Sequence, residues 1–177
     1  MPTVVRAVTD ERDGLLAFLE EQRAALRRAT HGLSDEQAAA RPTASGLSVG
    51  GLVKHLTAVE LHWMDILADR RKPKRDQDTE FRLTEGETLS GLVAAYRKQA
   101  EETDAVVTAL DDLGRTLDIS SINGVLPPDT IRSVRWVLSH LIQETARHAG
   151  HADILREQLD GATATELVQA TGTPWIV

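Results

Sequence analysis

Three of the six histidines fall in the stretch 132–157, RSVRWVLSHLIQETARHAGHADILRE, at positions His140, His148 and His151. An α-helix turns about 100° per residue, so with His140 at zero, Glu144 lies at about 40°, His148 at about 80° and His151 at about 20°. Imidazoles and carboxylates are the side chains that hold divalent metals through nitrogen and oxygen, or move protons near neutral pH. Glu144 and His148 stand one helical turn apart, about 6 Å along the axis, and can converge on one ion. Two ligands make an incomplete site, and a Glu-x3-His pair also arises by chance on surface helices. A catalytic metal site takes three protein ligands and leaves the remaining positions open to water or substrate.

The third ligand has to come from another element. LeuValLysHisLeu places His55 among the apolar positions of a second helix, where a histidine is either a hydrogen-bonded core residue or an inward-facing ligand. If it faces Glu144 and His148, the set is two imidazoles and one carboxylate. Zinc suits that set, while ligand type alone leaves nickel, iron and manganese open. The chain has no cysteine, which excludes both disulfides and a thiolate zinc site.

The elements that position these residues read as helices. Thr9 to about Ala29 carries Leu15, Leu19, Leu26 and Ala29 on one stripe, with Thr9 as the expected N-cap and His31-Gly32 at the end. Ser34 and Gln37 form a capping box over a short turn that Pro42 closes, and 41–46 is a loop. Ser48 caps a second helix to about Asp69. Gly50 and Gly51 in its first turn weaken it and leave room for another backbone, or a ligand, to come close. The run RRKPKRDQDTE (70–80) reads as a solvated connection, with a lid or anion-binding loop as the functional alternative. Thr84 and Glu87 box a third helix to about Leu110. Residues 111–130 are too broken for a helix, with Leu117–Ile122 a short extended piece. Asp129 or Thr130 is the expected cap of the fourth helix, which Gly161 ends, and Thr163 and Glu166 box a short tail helix. Four long amphipathic helices and one long crossover predict an all-α, four-helix bundle, a fold that builds metal sites between inward-facing side chains. One domain is expected over 1–177, with the bundle at about 9–160 and the tail at 161–177.

Composition narrows the function classes. The chain of 177 residues is 41 % hydrophobic, 27 % charged and 3 % aromatic, which predicts an aliphatic core. A formal charge of −7 argues against a nucleic-acid surface. No apolar stretch reaches the ~18 residues of a membrane helix. MPTVVRAVTDERDG has no long apolar run behind a basic patch, so no signal peptide is expected, and a soluble cytoplasmic protein is the default.

Three segments together, SDEQAAARP (34–42), LSVGGLVKHL (47–56) and HLIQETARHAGHAD (140–153), resemble the DinB-like superfamily of metal-binding four-helix bundles. The resemblance runs from about Asp10 to Asp160. It is greatest to the branch with Glu-x3-His-x2-His on the last long helix. That superfamily includes mycothiol-dependent maleylpyruvate isomerase and the bacillithiol and mycothiol S-transferases. The resemblance implies a divalent metal, commonly zinc, on His55, Glu144 and His148. Glu at 144 resembles the maleylpyruvate isomerase arrangement. A small-molecule thiol, mycothiol-like, and an electrophilic substrate are the partners it implies, for S-transfer or thiol-assisted isomerisation. A metal-hydroxide hydrolase is a variant of the same chemistry, though His-Glu-x-x-His, the usual zinc-peptidase motif, is absent. A second class stays open at this point: a non-catalytic metal-binding stress or sensor protein, or a homodimeric bundle with a structural metal.

The remaining candidates are assigned lesser roles. His151 reads as a neighbour of the ion ahead of a fourth ligand, and His140 as a packing or hydrogen-bonding support. Asp153 or a backbone carbonyl is expected to hold a ligand's tautomer. His62, two turns from His55 and roughly 10 Å away, does not share an ion. His31 is a helix-end residue. Arg147 and Arg156 read as surface salt bridges ahead of substrate-carboxylate clamps, and Trp63 and Trp136 as core or pocket wall.

Overall fold

The computed structural model describes residues 4–70, 77–120 and 126–172, with the side chains of residues 77 and 78 outside that description. In chain order the elements are α1 (Glu11–Ala29), α2 (Asp35–Ala39), α3 (Val49–Leu67), α4 (Gln77–Glu80), α5 (Leu89–Thr108), β1 (Thr116–Asp118), β2 (Ile131–Ser133), α6 (Val134–Asp160) and α7 (Ala164–Ala170). The four long helices α1, α3, α5 and α6 form the expected four-helix bundle. α1 lies chiefly along α6, α3 lies along α5, and α3 also meets α6. The two successive long helices α1 and α3 barely touch, and α1 pairs instead with α6, the long helix most distant from it in sequence. Among the described residues no helix is long and apolar enough to cross a membrane.

α3 is the central helix. Its buried residues cover most of its circumference, from Val49 and Leu52 to Trp63 and Leu67, because it packs on both α5 and α6. Ser48 caps it as predicted, its hydroxyl accepting from the Gly51 amide at 3.2 Å, and the helix stops at Leu67, short of Asp69. Gly50 and Gly51 have a clear reason. A Cβ on Gly51 would lie 2.0 Å from the Phe81 carbonyl oxygen, and one on Gly50 would lie 2.4 Å from a Leu83 methyl. The close approach expected of these glycines is therefore made by another stretch of backbone.

Several predicted boundaries move by a few residues, each for a local reason. Asp10, not Thr9, caps α1 by accepting from the Asp13 amide, while Thr9 donates its own amide to the Asp13 carboxylate at 2.9 Å. The Thr84 amide does donate to Glu87 at 2.7 Å, but this closes a turn with left-handed Gly86; α5 starts later, capped by Thr88. Neither Asp129 nor Thr130 caps α6. Asp129 is left-handed at φ 57°, Thr130 accepts the Ile119 amide through its carbonyl at 2.9 Å, and Ser133 caps the helix from the end of β2. The extended piece predicted at Leu117–Ile122 is the strand Thr116–Asp118, antiparallel to Ile131–Ser133. Ile122, like 71–76 of the charged connection, lies outside the described residues. Gly161 ends α6 in the left-handed conformation, and the Thr163–Glu166 capping box opens α7 as read.

The apolar core falls into two clusters. One gathers Leu19, Val59, Trp63, Met64, Val137, Leu138 and Leu141; the other gathers Leu26, Val49, Leu52, Leu56, Tyr96, Ala152 and Leu155. Near the boundary between them on each helix sit polar residues: Arg23 on α1, His55 and Glu60 on α3, Thr103 on α5, and Thr145 and His148 on α6, all buried. The bundle thus has a polar waist.

Candidate metal centre

α3 and α6 meet at this waist, where the predicted residues converge. His55 Nε2 lies 3.4 Å from Glu144 Oε1, and His148 Nε2 lies 3.3 Å from the same oxygen. One donor atom from each of the three falls within 4.8 Å of the other two. The imidazoles of His55 and His148 approach edge to face, with centroids 4.9 Å apart. Two ligands about 2.1 Å from a tetrahedral ion stand roughly 3.4 Å apart, which is the spacing of both imidazoles from the Glu144 oxygen. The imidazoles beside it, first His148 and then His55, hold the Glu144 carboxyl well below the usual carboxylate range despite its partial burial. An ionised carboxylate between two buried imidazoles is the donor chemistry a divalent cation takes. Glu144 keeps 28 % of its side chain exposed, against 8 % for His55 and 11 % for His148, so the cluster opens to solvent on the Glu144 side.

Each imidazole is held at its far nitrogen too. His55 Nδ1 lies 3.3 Å from Glu80 Oε2, both side chains being buried, and His148 Nδ1 lies 3.3 Å from His151 Nδ1. Phe81 stacks on His55 at 4.0 Å with the rings 22° apart, and stands 6.1 Å from His148. Glu80 closes the charged stretch 70–80 that reads as a solvated connection, with Phe81 next in the chain, and the structure corrects that reading for Glu80. The only sequence signal for the two residues is indirect: the Gly50-Gly51 pair on which the Phe81 backbone rests.

The other candidates separate cleanly. His151 adjoins His148, and burial together with the neighbouring His148 and Arg147 lowers its pKa. His140 packs in an aromatic cluster, parallel to Trp136 at 5.2 Å and edge-on to Trp63 at 5.3 Å, and burial lowers its pKa against the pull of Glu144. Asp153 does not reach the ligands. It lines a cavity of ≈ 210 Å³ between α1, α6 and α7, where burial raises its pKa. His62 is buried beside Trp63, and His31 is exposed. Arg156 is no surface salt bridge: it is buried, donates to the Ala29 and His31 carbonyls at 2.9 and 2.6 Å, and pairs with Asp160. It ties α6 to the end of α1. Arg147 is exposed.

The fold and the cluster define a class: a four-helix bundle with an inward-facing His/His/Glu set of the kind that binds a divalent metal. Within that class, the family model for mycothiol-S-transferase matches residues 14–161, and the chain belongs to this family. The bundle resembles a conserved protein from Enterococcus faecalis (TM-score 0.66, 15 % identity, 88 % of this chain and 100 % of that one). It also resembles YfiT from Bacillus subtilis, described as a probable metal-dependent hydrolase with an unusual four-helix bundle topology (TM-score 0.61, 18 % identity, 94 % and 92 % covered). At these identities the likeness speaks for the fold. No curated protein matches the chain significantly in sequence.

Proposed function

We propose that His55, Glu144 and His148 hold a divalent ion, most simply zinc, and that the protein is a cytoplasmic enzyme joining a low-molecular-weight thiol to an electrophile. The observation that carries this reading is the convergence of the three donors within 4.8 Å of one another, in a chain of the mycothiol-S-transferase family. A bound ion of this kind lowers the pKa of a coordinated thiol, so that thiolate is available at neutral pH. The protein's own groups prepare that position. With an ion held there, Glu144 would contribute one negative charge and the two imidazoles neutral donors, so the site would keep a net positive charge that favours thiolate over thiol. Phe81 covers one face of His55, which leaves the partly exposed Glu144 side as the approach. The reaction forms a carbon–sulfur bond and breaks the bond to the electrophile's leaving group, or, in thiol-assisted isomerisation, forms and later releases the thiol adduct.

The test is metal content of the purified protein, followed by thiol consumption with monochlorobimane across mycothiol, bacillithiol and glutathione. One ion per chain and turnover with one thiol well above the others is expected. Stoichiometric metal without turnover on any thiol would refute the transferase reading and favour a non-catalytic metal-binding role. Ester or amide hydrolysis without thiol would instead favour the hydrolase description attached to the structural relative YfiT.

A further inference from the structure

Each ring nitrogen of His55 faces a carboxylate: Nε2 faces Glu144 at 3.4 Å and Nδ1 faces Glu80 at 3.3 Å. The two nitrogens lie on opposite sides of the ring, so Glu80 stands behind the imidazole as seen from the cluster. Among the described residues Glu80 is not part of the group whose donors converge. Its burial matches that of His55, with the Glu80 side chain 7 % exposed and that of His55 8 %. A carboxylate is not left at such a place by a solvated charge run; desolvating it costs several kcal/mol unless a partner takes its charge or hydrogen bonds.

We propose that Glu80 is the positioning residue for His55, accepting the Nδ1 proton so that the Nε2 lone pair is presented to the ion; this rests on the metal-site reading above. The two carboxylates compete for the ring's proton. With Glu80 in place the neutral ring carries it on Nδ1. Without Glu80, Glu144 is the nearest acceptor, and a proton held on Nε2 blocks ligation. Placement of Glu80 comes from the backbone that follows it. The Phe81 carbonyl lies where a Cβ on Gly51 would be, at 2.0 Å, and the Phe81 ring stacks on His55 at 4.0 Å. A histidine ligand on α3 is thus oriented from behind by a carboxylate on α4 and from the side by the next residue.

The test uses the full chain with Glu80→Gln, which keeps an acceptor oxygen without the charge, and Glu80→Ala, which removes both. Zinc affinity is measured by competition with a chromophoric chelator, and the His55 ring nitrogens are read by 15N NMR in the metal-free protein. Expected are a loss of affinity of about 10–100-fold in Glu80→Ala, smaller in Glu80→Gln, and movement of the His55 proton from Nδ1 to Nε2 in Glu80→Ala alone. Wild-type affinity in Glu80→Ala, or an unchanged His55 tautomer, overturns the proposal. If the wild-type chain binds no metal, the metal-site reading fails by itself. The tautomer measurement then still decides whether Glu80 orients His55.

Discussion

His55, Glu144 and His148 contribute one donor each, and removing any one leaves a pair that holds a divalent ion poorly. His55→Ala and His148→Ala are therefore each expected to strip the ion from the purified protein while the helical circular dichroism persists; elemental analysis beside the spectrum checks this. Among the described residues His151 meets the cluster at the far nitrogen of His148, so His151→Ala is expected to keep one ion per chain by the same assay. Stoichiometric loss there would make it a ligand. Tyr96, in the second apolar cluster, poses a different question. It is fully buried, and its hydroxyl has no hydrogen-bond partner among the described residues. Leaving a hydroxyl so costs about 1–3 kcal/mol, hence Tyr96→Phe is expected to be neutral or stabilising by about 1 kcal/mol at pH 8. Burial raises its pKa well above the ordinary 10.0. Above that pH the unfolded chain releases a proton that the folded chain keeps, so this contribution to stability is whole below pH 10 and falls as pH rises beyond it. Urea titrations at pH 8 and pH 11 check both points: the wild type loses more stability between them than Tyr96→Phe does.

At the scale of elements, the glycines carry opposite expectations. Gly51 sits under the Phe81 backbone, which cannot yield as a flexible side chain can, whereas nothing lies within 4 Å of a Cβ on Gly150 in α6. Gly51→Ala is expected to push the segment bearing Glu80 and Phe81 off α3, lowering both thermal stability and metal retention despite alanine's better helix propensity. Gly150→Ala is expected to stabilise by up to about 1 kcal/mol, since only that propensity changes. Thermal melts and metal content of the two variants separate these outcomes. The helices themselves were legible from periodicity and caps, because both depend on residues within one turn of each other. Ser48, Ser34 and Thr163 cap where the sequence places them. The start of α6 was misread because Ile131–Ser133 is taken into a strand by Thr116–Asp118, a partner some fifteen residues away that no local pattern announces.

Across the whole molecule, the polar waist joins three helices through Arg23. Its guanidinium donates to both oxygens of Glu60 at 2.9 and 2.6 Å, with both side chains fully buried, and to Asp104 on α5 at 2.9 Å. Removing one partner of a buried pair costs more than removing both, because it strands a charge in a poorly solvated place. Glu60→Ala is expected to cost about 3–5 kcal/mol. Asp104→Asn, at a side chain 43 % exposed, is expected to cost under about 1 kcal/mol. The double variant Arg23→Met/Glu60→Leu should recover most of the Glu60→Ala loss, as urea unfolding of the set would report.

The sequence by itself determined the all-α character, the stripe on α6 that aligns Glu144 with His148, and the absence of any thiolate site. Each follows from local geometry or composition. Only the tertiary structure decided that His55 faces that stripe, since a histidine among apolar neighbours has the same pattern whether it packs or ligates. Only the tertiary structure brought Glu80 and Phe81 to His55. In a run of charges the side chain that will be buried looks like those that stay in water, and what distinguishes it is the helix it meets. The candidate metal centre is a product of contact between α3, α4 and α6, and spacing along one helix could supply no more than two of its three donors.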